Sequence, residues 1–489
     1  MRDLRVAALR GTVWSALQQI GDNGLRLPVY LVLARLLSPE AFGLVALASA
    51  YVDFLQVFRI QGISVALVQR ERLEPEHLDS AFWGGIVCGL LMGTAAFATA
   101  GLFARLAGQP ALESVVRWLS IAFVLSALST VQDTILRREL RFRALAIRTV
   151  IAQAVAGMVA ISAALAGLGI WSLVAMIIVH QTASLIVLWR ASSWRPRLRF
   201  SWSRYRELLA FGVSMTGVQL IQFARMRADN FLIGVGLGAT PLGYYSVARQ
   251  LVNGLAALVS GTVGPVLWST LTRLQDEPRR LARAMYQAAE MLALVTFPVF
   301  LGAAAVSPMI VPMVLGQRWA ASAPIFAALA VAEVFRSASG LNLTAITAIG
   351  QTGWRVGLEV LTATVTLLAL VGSLRWGVVA VAWALAISLL VLLPIQLRVA
   401  FRLLDLEART FLAGYRVPLV GSLLIQGVVL GTRATVGGLR DPLELAVAVT
   451  LSAAVYLAFT SWAAPEATRR ALENLRVALS RATRAGEEA

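Results

Sequence analysis

Apolar residues run along this chain in blocks of about twenty, the length that crosses a bilayer core as a helix. Charged residues gather in the short stretches between the blocks. Marking the blocks predicts about fourteen membrane helices, near 12–34, 42–66, 81–104, 115–136, 145–166, 170–190, 208–235, 242–268, 286–312, 321–348, 356–374, 376–399, 411–431 and 442–463. Polar residues inside the blocks recur at helical spacing: Ser15, Gln18, Asp22 and Arg26 share one stripe at about 100° per residue. The pattern predicts an all-α polytopic membrane protein with no loop long enough to fold as a soluble domain.

The same pattern occurs twice. "GTVWSALQQIGDNGLRLPVYLVLARLLSPEAFGLVALA" (11–48) aligns with "GVSMTGVQLIQFARMRADNFLIGVGLGATPLGYYSVA" (212–248), matching Gly11 with Gly212, Gln18 with Gln219 and Arg26 with Arg227. One gap later, Pro39 and Gly43 meet Pro241 and Gly243. A weaker match pairs "LGIWSLVA" (168–175) with "LRWGVVAVA" (374–382), again displaced by about 200 residues. Repeated bundles are a common plan in transporters. The expected organisation is a six-helix lobe over 1–190, a basic connector over 191–207, a second six-helix lobe over 208–403, two further helices over 404–463, and an amphipathic tail over 464–489.

Composition agrees: 58% of residues are hydrophobic, 14% are charged, and the mean hydropathy is +0.75. The net charge of +17 comes from 43 basic residues, all arginine. They lie between apolar blocks rather than in an aromatic-interleaved basic domain, so the charge points away from nucleic acid. Most fall in alternate connectors, and the opposite connectors hold only Arg35, Arg105, Arg117, Arg318, Arg375, Arg433 and Arg440. By the positive-inside rule both termini are expected in the cytoplasm. The N-terminus lacks a small-residue cleavage site after a short apolar core, so no cleaved signal peptide is expected. Cys88 is the single cysteine, and His77 and His180 stand far apart. Neither a disulfide nor a metal centre is expected.

An ionised side chain at the bilayer centre costs about 2.5–3.5 kcal/mol on insertion scales. Asp22, Arg26, Asp53, Arg59, Asp133, Arg225, Arg227, Asp229, Arg249, Glu333 and Arg336 are candidates for that cost. Asp22 with Arg26, and Arg225 with Asp229, stand four apart and can pair along one helix face; Glu333 and Arg336 stand three apart and can do the same. Arg227 points about 200° away from Arg225. It has Phe223 where the first copy has Asp22, so no acid lies one turn before it. Arg227 therefore reads as the least locally compensated cation and the best candidate to meet a mobile anion. Arg26, Arg225 and Arg336 either join it in a cationic cavity or hold helices together through their paired acids, and Arg59 and Arg249 stand at a cavity mouth or snorkel to the interface.

Several longer stretches carry a family resemblance: "LLSPEAFGLVALASAYVDFLQVFRIQGISVALVQRERLEPEHLDSAFWGG" (36–85), "TILRRELRFRALAIRT" (134–149) and "GLGIWSLVA" (167–175). With the span plan of two sixes plus two, the chain resembles the Wzx-type oligosaccharide flippases, in the superfamily that includes multidrug and toxin extrusion transporters, nearest to exporters of colanic-acid and succinoglycan type. The resemblance implies an alternating-access carrier in the bacterial inner membrane, not an enzyme. Its cargo would be undecaprenyl-diphosphate-linked repeat units, delivered to the periplasmic leaflet, and its partners membrane lipid and, loosely, the polymerase and export machinery. Arginine forks suit diphosphate oxygens, and Gln18, Gln219 and Asn230 would offer hydrogen bonds to sugar hydroxyls. No cofactor is implied beyond coupling to a proton or sodium gradient, for which Asp22 is the first choice and Asp53, Asp133 and Asp229 the others. The competing readings are a flippase of lipid II type, a cation-coupled multidrug extruder, and a membrane-bound polymerase or ligase. The extruder calls for a more acidic cavity, and the enzyme for a larger outer loop.

Overall fold

The computed structural model describes residues 21, 24–57, 62–70, 73–260, 277–436 and 441–470, with backbone alone at 62, 63, 69, 210–222, 224, 225, 258, 260, 278, 436 and 441. The helices are α1 (24–36), α2 (Pro39–Val57), α3 (Gly62–Gln69), α4 (Pro75–Leu106), α5 (Ala111–Leu119), α6 (Ile121–Arg138), α7 (Phe142–Leu165), α8 (Ile170–Ala191), α9 (Trp202–Leu237) and α10 (Ala239–Ser260). They continue as α11 (Pro278–Leu315), α12 (Ser322–Ala348), α13 (Thr352–Ser373), α14 (Val378–Leu404), α15 (Ala408–Val436) and α16 (Asp441–Ala463). No strand occurs among the described residues. Eleven candidate spans among the described residues are long and apolar enough to cross a membrane. α9, at 36 residues, is also longer than the roughly 20 residues a bilayer core requires. The expected block 115–136 is divided between α5 and α6 at Ser120, whose hydroxyl donates to the Arg117 carbonyl at 2.6 Å.

The chain forms two compact units, Met1–Ser246 and Val247–Ala489. In the first, α7 lies along α8, α4 along α6, and α9 packs on α2, α3 and α4. α7 shows how apolar helices associate where lipid is as apolar as their side chains. Its buried face is mostly small, with Ala146, Ala152, Ala156, Gly157 and Ala160, while Ile147, Ile151 and Met158 are exposed. Small residues let backbones approach and gain dispersion contacts.

In the second unit α11 packs against α12, α15 and α16. It contains Pro298, Pro308 and Pro312, each of which removes an N–H from the helical ladder. Where no water can enter, the freed carbonyl needs another donor. Tyr456 of α16 supplies one to Leu294, four residues before Pro298, with its hydroxyl 2.8 Å away. The Ser307 hydroxyl does the same for Ala304, four before Pro308, at 2.9 Å. Tyr456→Phe is expected to destabilise the protein by about 0.5–1.5 kcal/mol, read as a lower midpoint of thermal unfolding in detergent. An unchanged midpoint would mean that the Leu294 carbonyl finds another donor.

At one end of the first unit, Arg70 and Arg204 hold Glu207, and Arg204 also reaches Glu74 at 2.7 Å. The hydrogen bond from Arg70 is the main reason the Glu207 carboxyl sits below its ordinary range.

Candidate functional site

Two membrane-embedded charges of the first unit, Arg227 and Asp53, meet where α9 packs on α2. The Arg227 Nε lies 3.0 Å from Asp53 Oδ2, with the two side chains 49% and 33% exposed. That oxygen is itself buried and no aligned hydrogen bond reaches it, so the contact is ionic, with Arg227 its half-exposed member. The absence of a nearby acid for Arg227 is true only along its own helix. α2 supplies the acid, and spacing along one helix carries no information about which residue of another will face it.

Two residues further along α9, Asp229 is buried and accepts the Tyr245 hydroxyl at 2.6 Å and the Asn230 N–H at 2.8 Å. Tyr245 is fully buried on α10, so this carboxylate ties α9 to α10. The Asn230 side-chain oxygen is buried without a hydrogen-bond donor among the described residues. Aromatic rings surround the cluster. Phe54 meets Phe223 at 5.4 Å, Tyr51 stacks on Phe103 at 4.1 Å, and Phe103 stacks on Phe231 at 5.8 Å. The Tyr51 hydroxyl lies 2.6 Å from the Thr99 hydroxyl. The site thus joins an ion pair, a buried carboxylate and flat apolar faces.

Tyr51 and Phe54 flank Asp53 in "AYVDFLQ", a signal that the charge-based reading left unused. Tyr245 gave no such signal, because its role depends on how α10 folds back on α9.

The other expected site residues are dispersed. Asp133 is held by Arg137 and Arg148, each at 2.6 Å, an arrangement suited to clasping α6 to α7. Glu333 and Arg336 pair at 3.3 Å in the second unit, as their spacing predicts. Arg249 is partly buried there, with a polar partner of its own. Arg26 is exposed on α1, one turn before Tyr30. Gln18, Asp22 and Arg59 lie outside the described residues, as do the side chains of Gln219 and Arg225. The expected Asp22–Arg26 and Arg225–Asp229 pairs fall outside with them. Among the described residues no three His, Cys, Asp or Glu side chains come together as a metal site.

A second feature involves the repeat itself. The first turns of α2 and α10 pack reciprocally, so that each glycine lies under a carbonyl of the other helix. A Cβ on Gly43 would stand 1.7 Å from the Ala239 carbonyl oxygen, and one on Gly243 would stand 1.8 Å from that of Pro39. Pro39 therefore corresponds to Ala239, not to Pro241, while Gly43 and Gly243 match as the sequence suggests. Neither glycine position has room for a side chain. A surface cavity of about 520 Å³, lined by Phe97, Glu113, Arg117 and Trp118 among others, shares no residue with the Arg227–Asp53 cluster.

Residues 32–324 match the model of a family described as polysaccharide biosynthesis protein. The succinoglycan biosynthesis transport protein ExoT of Rhizobium meliloti (strain 1021) is 29% identical over 342 residues, covering 70% of this chain and 69% of its own. The lipopolysaccharide biosynthesis protein WzxC of Escherichia coli (strain K12) is 24% identical and covers 68% of each chain. The teichuronic acid biosynthesis protein TuaB of Bacillus subtilis (strain 168) is 25% identical, covering 68% of this chain and 70% of its own. Among solved structures, the lipid II flippase MurJ in an inward closed conformation matches with a TM-score of 0.69 and 15% identity, over 94% of this chain and 98% of its own. An inward-facing multidrug resistance transporter of the MATE family follows the same fold with a TM-score of 0.56 and 16% identity, over 81% of this chain and 94% of its own.

Proposed function

The chain belongs to the polysaccharide biosynthesis protein family, and on that premise we propose that it is a flippase for undecaprenyl-diphosphate-linked oligosaccharide repeat units. It sits in the bacterial inner membrane with both termini in the cytoplasm and delivers the saccharide to the periplasmic leaflet. The two six-helix lobes, 1–190 and 208–403, provide alternating access, and 404–463 adds two helices. The cytoplasmic tail follows over 464–489. Association with polymerase and export proteins is loose.

The observation that carries this reading is the Arg227–Asp53 pair. A diphosphate brings at least two negative charges and several acceptor oxygens, and a guanidinium presents a planar fork to them. The arriving headgroup competes with Asp53 for Arg227. Once displaced, the Asp53 carboxylate is partly buried without its cation, and taking up a proton or sodium ion relieves that cost. Substrate and coupling ion thus exchange at one site, with Asp53 in the coupling role first given to Asp22. Asn230, with Gln18 and Gln219, offers hydrogen bonds to sugar hydroxyls, and Tyr51 and Phe54 offer flat faces beside them. Arg26 of the first copy serves the same anion from α1, with Arg225, Arg249, Arg336 and Arg59 along its path. The Gly43–Gly243 crossing closes the outer side while the cavity faces inward.

A lipid II flippase is the second reading, favoured by the fold shared with MurJ; the lipid diphosphate chemistry is the same. Deleting the protein and locating the stalled intermediate separates the two. Complete repeat units accumulating on the cytoplasmic leaflet support saccharide export. Stalled peptidoglycan precursor supports the second reading, and neither, with altered dye efflux, supports an extruder.

A further inference from the structure

The connector between α8 and α9 is more than a run of positive charge. Leu198 is 90% exposed, Phe200 51% and Trp202 62%, and they alternate with Arg197 and Arg199 in "RPRLRFSWSRYRE". Phe200 and Trp202 rest partly on Tyr205 and on each other, and the rest of their surface is open among the described residues. The backbone beneath them is nevertheless fixed. Trp83 donates to the Arg197 carbonyl at 2.8 Å, the Arg197 N–H donates to Asp79 at 3.0 Å, and the Ser201 N–H donates to the Ser80 hydroxyl at 2.9 Å. Asp79 and Ser80 are both buried. Arg195 is used internally, donating to the carbonyls of Ser192, Trp194 and Trp189. Arg204 is taken up by Glu74 and Glu207. Arg197, Arg199 and Arg206 are exposed, and no carboxylate pairs with them among the described residues.

We propose that residues 197–206 form a preformed docking surface for anionic phospholipid of the cytoplasmic leaflet. Leu198, Phe200 and Trp202 enter the headgroup–acyl boundary, while Arg197, Arg199 and Arg206 hold phosphate groups. Aromatic and apolar residues flanked by arginine are what an interfacial segment requires. The phosphate of a phospholipid and the diphosphate of a lipid-linked saccharide share their chemistry, and the surface is assigned to the phospholipid because its arginines alternate with exposed Leu198, Phe200 and Trp202, which call for an acyl boundary beside the phosphates. The assignment rests on the orientation given by the arginine distribution and not on the identity of the transported lipid. Fixing the connector against this leaflet anchors the start of α9, the helix that carries Arg227.

The test uses the full chain with Cys88→Ala and Leu198→Cys, labelled at residue 198 with an environment-sensitive fluorophore and reconstituted without any polyprenyl lipid. In bilayers containing phosphatidylglycerol the label is expected to emit as from an apolar setting, with the shift reduced in pure phosphatidylcholine and by high salt. Native mass spectrometry should show that Arg197→Gln, Arg199→Gln and Arg206→Gln each lower retained phosphatidylglycerol about five-fold, with phosphatidylcholine unchanged. Thermal unfolding of each single variant at the wild-type midpoint guards against a folding defect. Water-like emission in phosphatidylglycerol bilayers, or retention unaffected by the three substitutions, overturns the proposal. So does a shift that appears only after undecaprenyl diphosphate is added.

Discussion

Arg227→Ala abolishes export of the repeat unit while the protein inserts and folds normally, and Arg227→Lys retains part of the activity. Hydrogen bonds to charged groups contribute about 1.5–3 kcal/mol each. Losing one charge-assisted contact therefore weakens diphosphate binding roughly 10- to 150-fold, and losing the fork weakens it further. Lysine keeps the charge but not the planar geometry. Normal folding is expected because Arg227 is half exposed and its removal opens no cavity in the packed core. Asp53→Asn should behave differently. It removes the carboxylate that competes with the diphosphate, so binding holds or tightens, while turnover falls and loses its dependence on the proton or sodium gradient. The exchanged pair, Arg227→Asp with Asp53→Arg, separates a transport role from a structural one. Purified protein assayed for binding and for flipping gives both readouts. Wild-type flipping by the exchanged pair would show that the two residues only hold α9 to α2.

Gly43→Val and Gly243→Val each reduce export at least as severely, by a different route. An added Cβ at either site falls under 2 Å from a backbone carbonyl oxygen of the opposing helix. Neither neighbour is a side chain that could turn aside, so even alanine forces the first turns of α2 and α10 apart. The outer side then fails to close, and the carrier stalls before it can face the cytoplasm again. Two independent substitutions should produce the same stalled state, because the contact is reciprocal. Accessibility reports the state directly. A cysteine at Phe231, in a Cys88→Ala background, should react slowly with a membrane-impermeant thiol reagent from outside, and at least ten-fold faster once Gly43→Ala is added. Unchanged reactivity together with full export would mean that the crossing is not a gate.

Much of this arrangement was legible in the sequence, and each failure has a physical reason. Helical spacing predicts the pairing of Glu333 with Arg336, which the second unit contains, because both residues lie on one helix. The glycines were visible as a repeated motif, yet the register of their neighbours was misread. The sequence matches proline to proline, whereas the crossing brings Pro39 to Gly243 and Ala239 to Gly43, so that Pro39 and Ala239, each at the start of its helix, play the equivalent parts. The Asp53 partner of Arg227 could not be deduced in the same way, since α2 and α9 are separated by well over a hundred residues and nothing periodic links them. Tyr245 was hidden for the same reason: a tyrosine in an apolar run says nothing until the next helix folds over a buried carboxylate. The expected block 115–136 falls within one candidate span, Ala111–Arg138, and the break between α5 and α6 at Ser120 is invisible in the sequence because one serine leaves the hydropathy of the run unchanged.

Flipping by the purified protein tests the central claim most directly. An undecaprenyl-diphosphate-linked repeat unit carrying a fluorophore on its sugar is placed in both leaflets of proteoliposomes, and a membrane-impermeant quencher is added outside. If the protein moves this lipid, quenching proceeds beyond the outer-leaflet fraction towards completion with wild-type protein and stops at that fraction with Arg227→Ala. Quenching that stops at the outer leaflet with wild-type protein as well, or proceeds equally with Arg227→Ala, would contradict the account.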